Sequence, residues 1–84
     1  MAIVKTISND VRSRASLRHH AIGTVEFAWD DGWVVVCFTP LNPSMPMWAP
    51  KKYTLFANQP LTVLKDTARQ IWDDLVNHHW EAVP

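Results

Sequence analysis

The side chains in this sequence that could do chemistry fall into a few small groups. There are two histidine doublets, His19-His20 and His78-His79, and a lone cysteine, Cys37. There are two aspartate pairs, Asp30-Asp31 and Asp73-Asp74, and closely spaced arginines at Arg12, Arg14 and Arg18. Four imidazoles would suit zinc or nickel if the doublets met in space. Neighbouring residues on a strand point to opposite faces, and on a helix they diverge by about 100°. Neither doublet therefore chelates through both rings. The most a metal could collect is one histidine from each doublet and a carboxylate such as Glu81. The plainer reading, histidines at element ends, is the expected one, with no metal and no cofactor.

A nucleophilic cysteine needs partial exposure and a neighbour that lowers its pKa. Cys37 sits midway along the most apolar stretch, Trp33 to Phe38, and is expected to be a structural core residue. As the only cysteine it cannot form an internal disulfide, which fits a reducing compartment such as the cytoplasm. Carboxylate chemistry needs two acids converging across a pocket. Asp30-Asp31 followed by Gly32 is explained as a turn, and Asp73-Asp74 as the solvated face of a helix. The only glycines are Gly23 and Gly32, so there is no phosphate-cradling loop. An enzyme is not expected.

Two binding surfaces are weighed instead. If residues 11–18 form a strand, Arg12, Arg14 and Arg18 share one face at about 6.6 Å per two residues. With Lys5 they would make a candidate site for single-stranded nucleic acid, whose phosphates repeat at a similar distance. The plainer use of such arginines is solubility and protection of a strand edge. Eight basic and eight acidic residues balance to zero, which disfavours a general polyanion binder. The balance hides a polarity: residues 1–20 hold Lys5, Arg12, Arg14 and Arg18 against Asp10, and the remainder is correspondingly acidic.

The second surface is the segment 40–50, which holds four of the six prolines. It is expected to be a long, stiff, partly polyproline-like connection. Met45, Met47 and Trp48 lie in it. Aromatic and methionine side chains on a rigid loop lose little entropy on docking and suit protein recognition. The competing reading is that Trp48 folds back to plug the end of a sheet. Trp29, Trp33 and Trp72 have places in the packed pattern.

These groups are positioned by elements that can be read from periodicity. Leu64, Ala68, Ile71, Trp72, Leu75 and His79 recur at spacings of three and four, predicting an amphipathic helix over 59–80. Asn58 or Thr62 is its expected N-cap, with Pro60 in the first turn. Val25, Phe27 and Trp29 alternate with polar or small residues, predicting a strand with one buried face. A three-residue loop ending in Gly32, with Gly32 left-handed, is expected to join it to a doubly apolar strand 33–39, the alternative being a two-residue loop that sets Asp30 opposite Trp33 and Phe27 opposite Val36. Further strands are expected at 2–7 and 52–56, the latter leading into the helix. Residues 11–18 alternate as a strand, with a helix from Ser8 or Asp10 as the alternative.

The fold class expected is α+β: a single domain, 1–84, with a small antiparallel sheet of four or five strands and one C-terminal amphipathic helix on one face. Strand 33–39 is apolar on both sides, so its second face should be covered by the 40–50 loop or by a second copy. A homodimer is one expected partner, another protein the other. The longest apolar run is too short to cross a bilayer, and no apolar stretch follows Lys5, so neither a membrane nor a secretory role is expected. The function expected is a non-enzymatic adaptor or inhibitor-type module that binds another protein. The alternative is a single-stranded nucleic-acid binder.

Overall fold

The computed structural model describes residues 14–49 and 53–83. Their elements are β1 (Arg14–His19), β2 (Gly23–Asp30), β3 (Trp33–Pro40), β4 (Met47–Trp48), β5 (Leu55–Phe56), β6 (Leu61–Leu64), α1 (Lys65–Asn77) and β7 (Glu81–Ala82). The fold is α+β. An antiparallel sheet of five strands runs β6-β3-β2-β1-β7, and β4 and β5 form a separate two-stranded ribbon. Lys5, Arg12 and the expected strand 2–7 lie outside the described residues. No described helix is long and apolar enough to cross a membrane.

The β2–β3 hairpin departs from the expected register in a way that matters. Asp30 pairs with Trp33 and Phe27 with Val36, so the loop has two residues, Asp31-Gly32. The left-handed residue is Asp31, at φ 62°, rather than Gly32. Two-residue turns with positive φ match the twist of the strands they join, and aspartate tolerates that conformation. Shifting the register by one residue exchanges the faces of a strand. As a result Val34, Val36 and Phe38 are fully buried opposite Trp29, Phe27 and Val25. Trp33 faces the other side and is 51% exposed, and Cys37 is only half-buried, so neither belongs to the core as expected.

The helix is shorter than its apolar pattern suggested. Leu61–Leu64 pair with Val36–Trp33 as a strand, and α1 begins only at Lys65. The open edge of β3 needs backbone partners, and Leu-Thr-Val suits a strand as well as a helix. Leu64 is the N-cap, in extended geometry without a side-chain cap, so neither Asn58 nor Thr62 caps the helix. Asp66 in the first turn complements the helix dipole. Ala68, Ile71 and Leu75 bury one stripe against the sheet, and Trp72 meets Phe27 edge-on at 5.2 Å.

The chain stops the helix with a defined hydrogen-bond pattern. His79 N–H donates to Val76 O at 3.2 Å and Trp80 N–H to Leu75 O at 3.1 Å. His79 takes the left-handed conformation, φ 71°, that this kind of C-cap requires. It is exposed and serves the turn rather than the apolar stripe. Trp80 swings into the core at 2% exposure, beside the fully buried Leu75, and β7 then pairs with Leu17 and Arg18 of β1.

The proline-rich connection also closes on itself. Met47 pairs with Phe56 and Trp48 with Leu55, a short ladder where none was expected. Ala57 bridges in parallel to Phe38, and Asn58 N–H donates to Phe38 O at 2.7 Å, so the ribbon continues the edge of β3 beyond β6.

Two backbone positions test this architecture. A Cβ on Gly23, φ 152°, would stand 2.3 Å from Thr39 O and 2.8 Å from Pro40 Cα. Gly23→Ala should cost about 2–3 kcal/mol in chemical denaturation, whereas Gly32→Ala should stay within about 0.5 kcal/mol of the wild type. His79→Gly should be stabilising by about 0.5–1 kcal/mol. It relieves roughly 1–2 kcal/mol of left-handed strain at the expense of roughly 0.5–1 kcal/mol of extra unfolded-state entropy. A loss of stability in that variant would contradict the cap.

Candidate functional site

Alternation along the strands divides the sheet into two faces. The inner face carries Leu17, Val25, Phe27, Val34, Val36 and Phe38, all fully buried under the helix and the ribbon residue Leu55. The outer face carries Arg14, Ser16 and Arg18 from β1, Thr24, Glu26, Ala28 and Asp30 from β2, Trp33, Val35, Cys37 and Thr39 from β3, and Thr62 and Leu64 from β6. Helix α1 and the β4–β5 ribbon send their buried side chains, Ala68, Ile71, Leu75 and Leu55, into the inner core. The loop expected to cover the second face of strand 33–39 packs on the first.

The outer face is chemically divided. Its β3–β6 half holds no charged residue. Trp33 and Leu64 pair across the strands there, 51% and 55% exposed, with Val35 and Cys37 half-buried behind them. Met47 and Phe56, a cross-strand pair 44% and 49% exposed, extend this half where the ribbon adjoins β3 at Phe38. The β1–β2 half is charged. Arg14 lies 3.7 Å from Glu26, and Arg18 is paired in register with Glu81 of β7. An exposed ion pair of this kind adds only about 0–1 kcal/mol to stability. Its larger effect is to offset the positive charge of the arginines locally.

That offset bears on the nucleic-acid candidates. Arg14 and Arg18 do share the outer face, but four residues and about 13 Å apart, each with a carboxylate-bearing neighbour. Of the loop candidates, Met45 and Trp48 pack against the core, and Met47 is the one displayed. The Trp48 ring lies 5.9 Å from that of Trp80, plugging the end of the inner face. Both indole N–H groups are enclosed without a hydrogen-bond partner among the described residues.

The remaining chemical groups stay apart. His19 and His20 stack at 4.8 Å, and Ala21 N–H donates to His19 Nδ1 at 3.1 Å. His78 Nδ1 sits 2.7 Å from Asp74 O, one turn back on the helix. Among the described residues no three histidine, cysteine, aspartate or glutamate side chains converge as metal ligands. Asp30 and Asp31 lie at the exposed β2–β3 turn, and Asp73 and Asp74 on the helix.

One polar contact escaped the sequence reading. The Tyr53 hydroxyl donates to Asp74 Oδ2 at 3.0 Å, at the rim of a shallow groove lined by Thr67, Gln70, Asp73 and Asn77. Burial is the main cause that raises the tyrosine pKa, followed by the hydrogen bond to Asp74 and its charge. A contact with Trp48 acts weakly the other way, although Trp48 Nε1 makes no hydrogen bond by geometry. The available signal was a single tyrosine in the segment 52–56 expected to be a strand, whose hydroxyl must find a partner when partly buried.

Comparisons with protein-family models, with curated proteins and with solved structures find no match. The reading of the outer face therefore rests on its geometry.

Tyr53 is the only tyrosine, so its ionisation can be followed directly by ultraviolet absorbance. In the folded protein it should ionise well above the usual 10.0. A folded-state pKa raised above the unfolded one contributes stability that is complete below pH 10.0 and is lost as the pH rises beyond it. The wild type should lose stability more steeply above that pH than Tyr53→Phe, which itself should cost about 1–2 kcal/mol at neutral pH. Equal slopes in the two proteins would count against the contact.

Proposed function

We propose that this chain is a non-enzymatic protein-binding module, of adaptor or inhibitor type, whose contact surface is the open outer face of the sheet. The observation that carries this reading is Trp33, 51% exposed beside the 55% exposed Leu64, on a sheet face that no described element covers. Exposed tryptophan is costly to leave in water and is over-represented among residues that dominate binding energy. The loop contributes through Met47, displayed with Phe56, while Met45 and Trp48 hold the ribbon in place from inside.

A partner of this face meets an uncharged apolar half and a rim of offset charges, the usual arrangement of a protein interface. A second copy of the chain is one protein able to occupy it. Among the described residues the scattered carboxylates and the sheet-bound Cys37 bring no nucleophile, base and anion-stabilising group to one place, which supports a binding role over catalysis. The single cysteine fits work in a reducing compartment such as the cytoplasm. Nucleic acid is the less favoured ligand, because Glu26 stands beside Arg14 and Glu81 beside Arg18.

Affinity purification with the wild type and with Trp33→Ser tests the proposal. Trp33→Ser should stay folded at a cost of about 1–2 kcal/mol, from the lost cross-strand pair with Leu64 and strand propensity, and lose its protein partner by tenfold or more. Retention of every partner by that variant would remove the outer face as the contact. Oligonucleotide binding by fluorescence polarisation at about 50 mM salt, weakening steeply as salt is raised, would replace the protein reading with the nucleic-acid one.

A further inference from the structure

We infer that the free edge of β6 is the docking site for an extended segment of a partner protein, which joins the sheet as a further antiparallel strand. The added strand lies beside Leu64 and widens the outer face, so the inference rests on the reading of that face as a contact surface and names the form its partner takes.

The hydrogen-bond alternation of the sheet identifies what this edge offers. The Asp30–Trp33 pair closes a two-residue turn, so these residues bond to each other, and along β3 the odd-numbered residues face β2. Val34 and Val36 therefore turn their peptide groups toward Val63 and Leu61 of β6. The 2.7 Å bond from Asn58 N–H to Phe38 O follows the same alternation. On β6 the intervening groups point away from the sheet. They are Pro60 C=O, Thr62 N–H and C=O, and Leu64 N–H. Among the described residues none of them has a backbone partner. Main-chain donors and acceptors in a row at strand spacing fit another extended chain.

The two edges of the sheet are not alike. β7, at the far edge, is two residues long and carries Glu81, and β1 behind it displays Arg14 and Arg18. Charges of that kind discourage strand addition. β6 (Leu-Thr-Val-Leu) carries no charge and no proline, and Leu61, Thr62 and Leu64 are exposed. Helix α1 leaves this edge open. It starts directly after β6, packs across β6, β3 and β1, and delivers the chain to β7 on the opposite edge.

The edge also sets a sequence preference. The partner residue opposite Thr62 must offer both its N–H and its C=O. Two positions later, the residue opposite Pro60 must donate to Pro60 O. Two positions earlier, the residue opposite Leu64 needs only to accept from Leu64 N–H. The Leu64 C=O is not available to it, because at the helix N-cap it accepts the first bond of α1. Proline is therefore tolerated opposite Leu64 and excluded from the other two positions. The side chains of all three share the outer face with Thr62 and Leu64, where apolar and β-branched residues suit. Lys65 is exposed just past the strand, so an acidic residue before the proline falls opposite a positive charge.

The probe is the acetylated and amidated peptide Glu-Pro-Val-Thr-Val-Ile-Lys, whose threonine falls opposite Thr62. Titrated into the full chain and followed by amide NMR, it should bind with a Kd on the order of 100 µM. It should protect the Thr62 and Leu64 amides from hydrogen exchange. N-methylation of its threonine should weaken binding tenfold or more. Thr62→Pro should do the same, since it removes an outward donor at a place where an edge strand accepts proline. The N-methylated peptide, read on the unaltered protein, keeps the test decisive if that variant fails to fold.

No binding up to about 1 mM, or equal binding of the plain and N-methylated peptides, overturns the inference. If the peptide fails and Trp33→Ser still loses a captured protein, the outer face stands as the contact and the added strand falls. If the peptide binds as described and Trp33→Ser keeps every captured partner, the edge of β6 stands and the outer-face reading falls.

Discussion

The structure turns on how β2 and β3 are paired. Eight residues of each strand are in register, from Gly23 opposite Pro40 to Asp30 opposite Trp33. β3 is apolar on both of its faces, so hydrophobicity alone is satisfied by either of two adjacent registers. The choice falls to the turn. With Asp31 left-handed the loop closes in two residues, and that one-residue difference sends Val34, Val36 and Phe38 under the helix and Trp33, Val35 and Cys37 to the outside. The exposed tryptophan is a consequence of this pairing rather than a separate feature.

The second constraint is closure at the far end of the core. The left-handed stop at His79 ends the helix early enough for Trp80 to turn inward, where it meets Trp48 from the ribbon. Two indole N–H groups are enclosed there without partners. Each orphaned donor costs about 1–3 kcal/mol. Burying a tryptophan side chain of about 200 Å² contributes roughly 5 kcal/mol. Burial wins clearly at Trp80, Trp48 packs half-buried beside it, and the loop that seemed available for recognition is committed in part to the core.

What is left for an outside partner follows from these two facts. The inner face is closed by α1, the ribbon and Trp80. The outer face keeps an uncharged half with two large exposed side chains, and a charged half in which acids sit beside arginines. Of the arginines that looked like a phosphate-reading stripe, Arg14 and Arg18 lie on one face. Their neighbours, Glu26 and Glu81, arrive from β2 and β7, which lie 12 and 63 positions along the chain from Arg14 and Arg18. No reading of residues 11–18 alone could anticipate that.

Local pattern determined a good deal. The three-and-four spacing of Ala68, Ile71 and Leu75 specified a one-sided helix, the alternation of Val25 and Phe27 specified a half-buried strand, and that of Arg14, Leu17 and Arg18 placed arginines outside and leucine inside. These are properties of neighbouring residues and need no partner to be legible. The tertiary structure decided what depends on distant segments. Leu61–Leu64 became a strand because the edge of β3 required backbone partners, although Leu64 fitted the helical stripe. Trp33 went out and Trp48 came in because a register and a plug are settled between segments far apart in sequence. Periodicity tells which residues share a face. Only the packed chain chooses which of two apolar faces is closed.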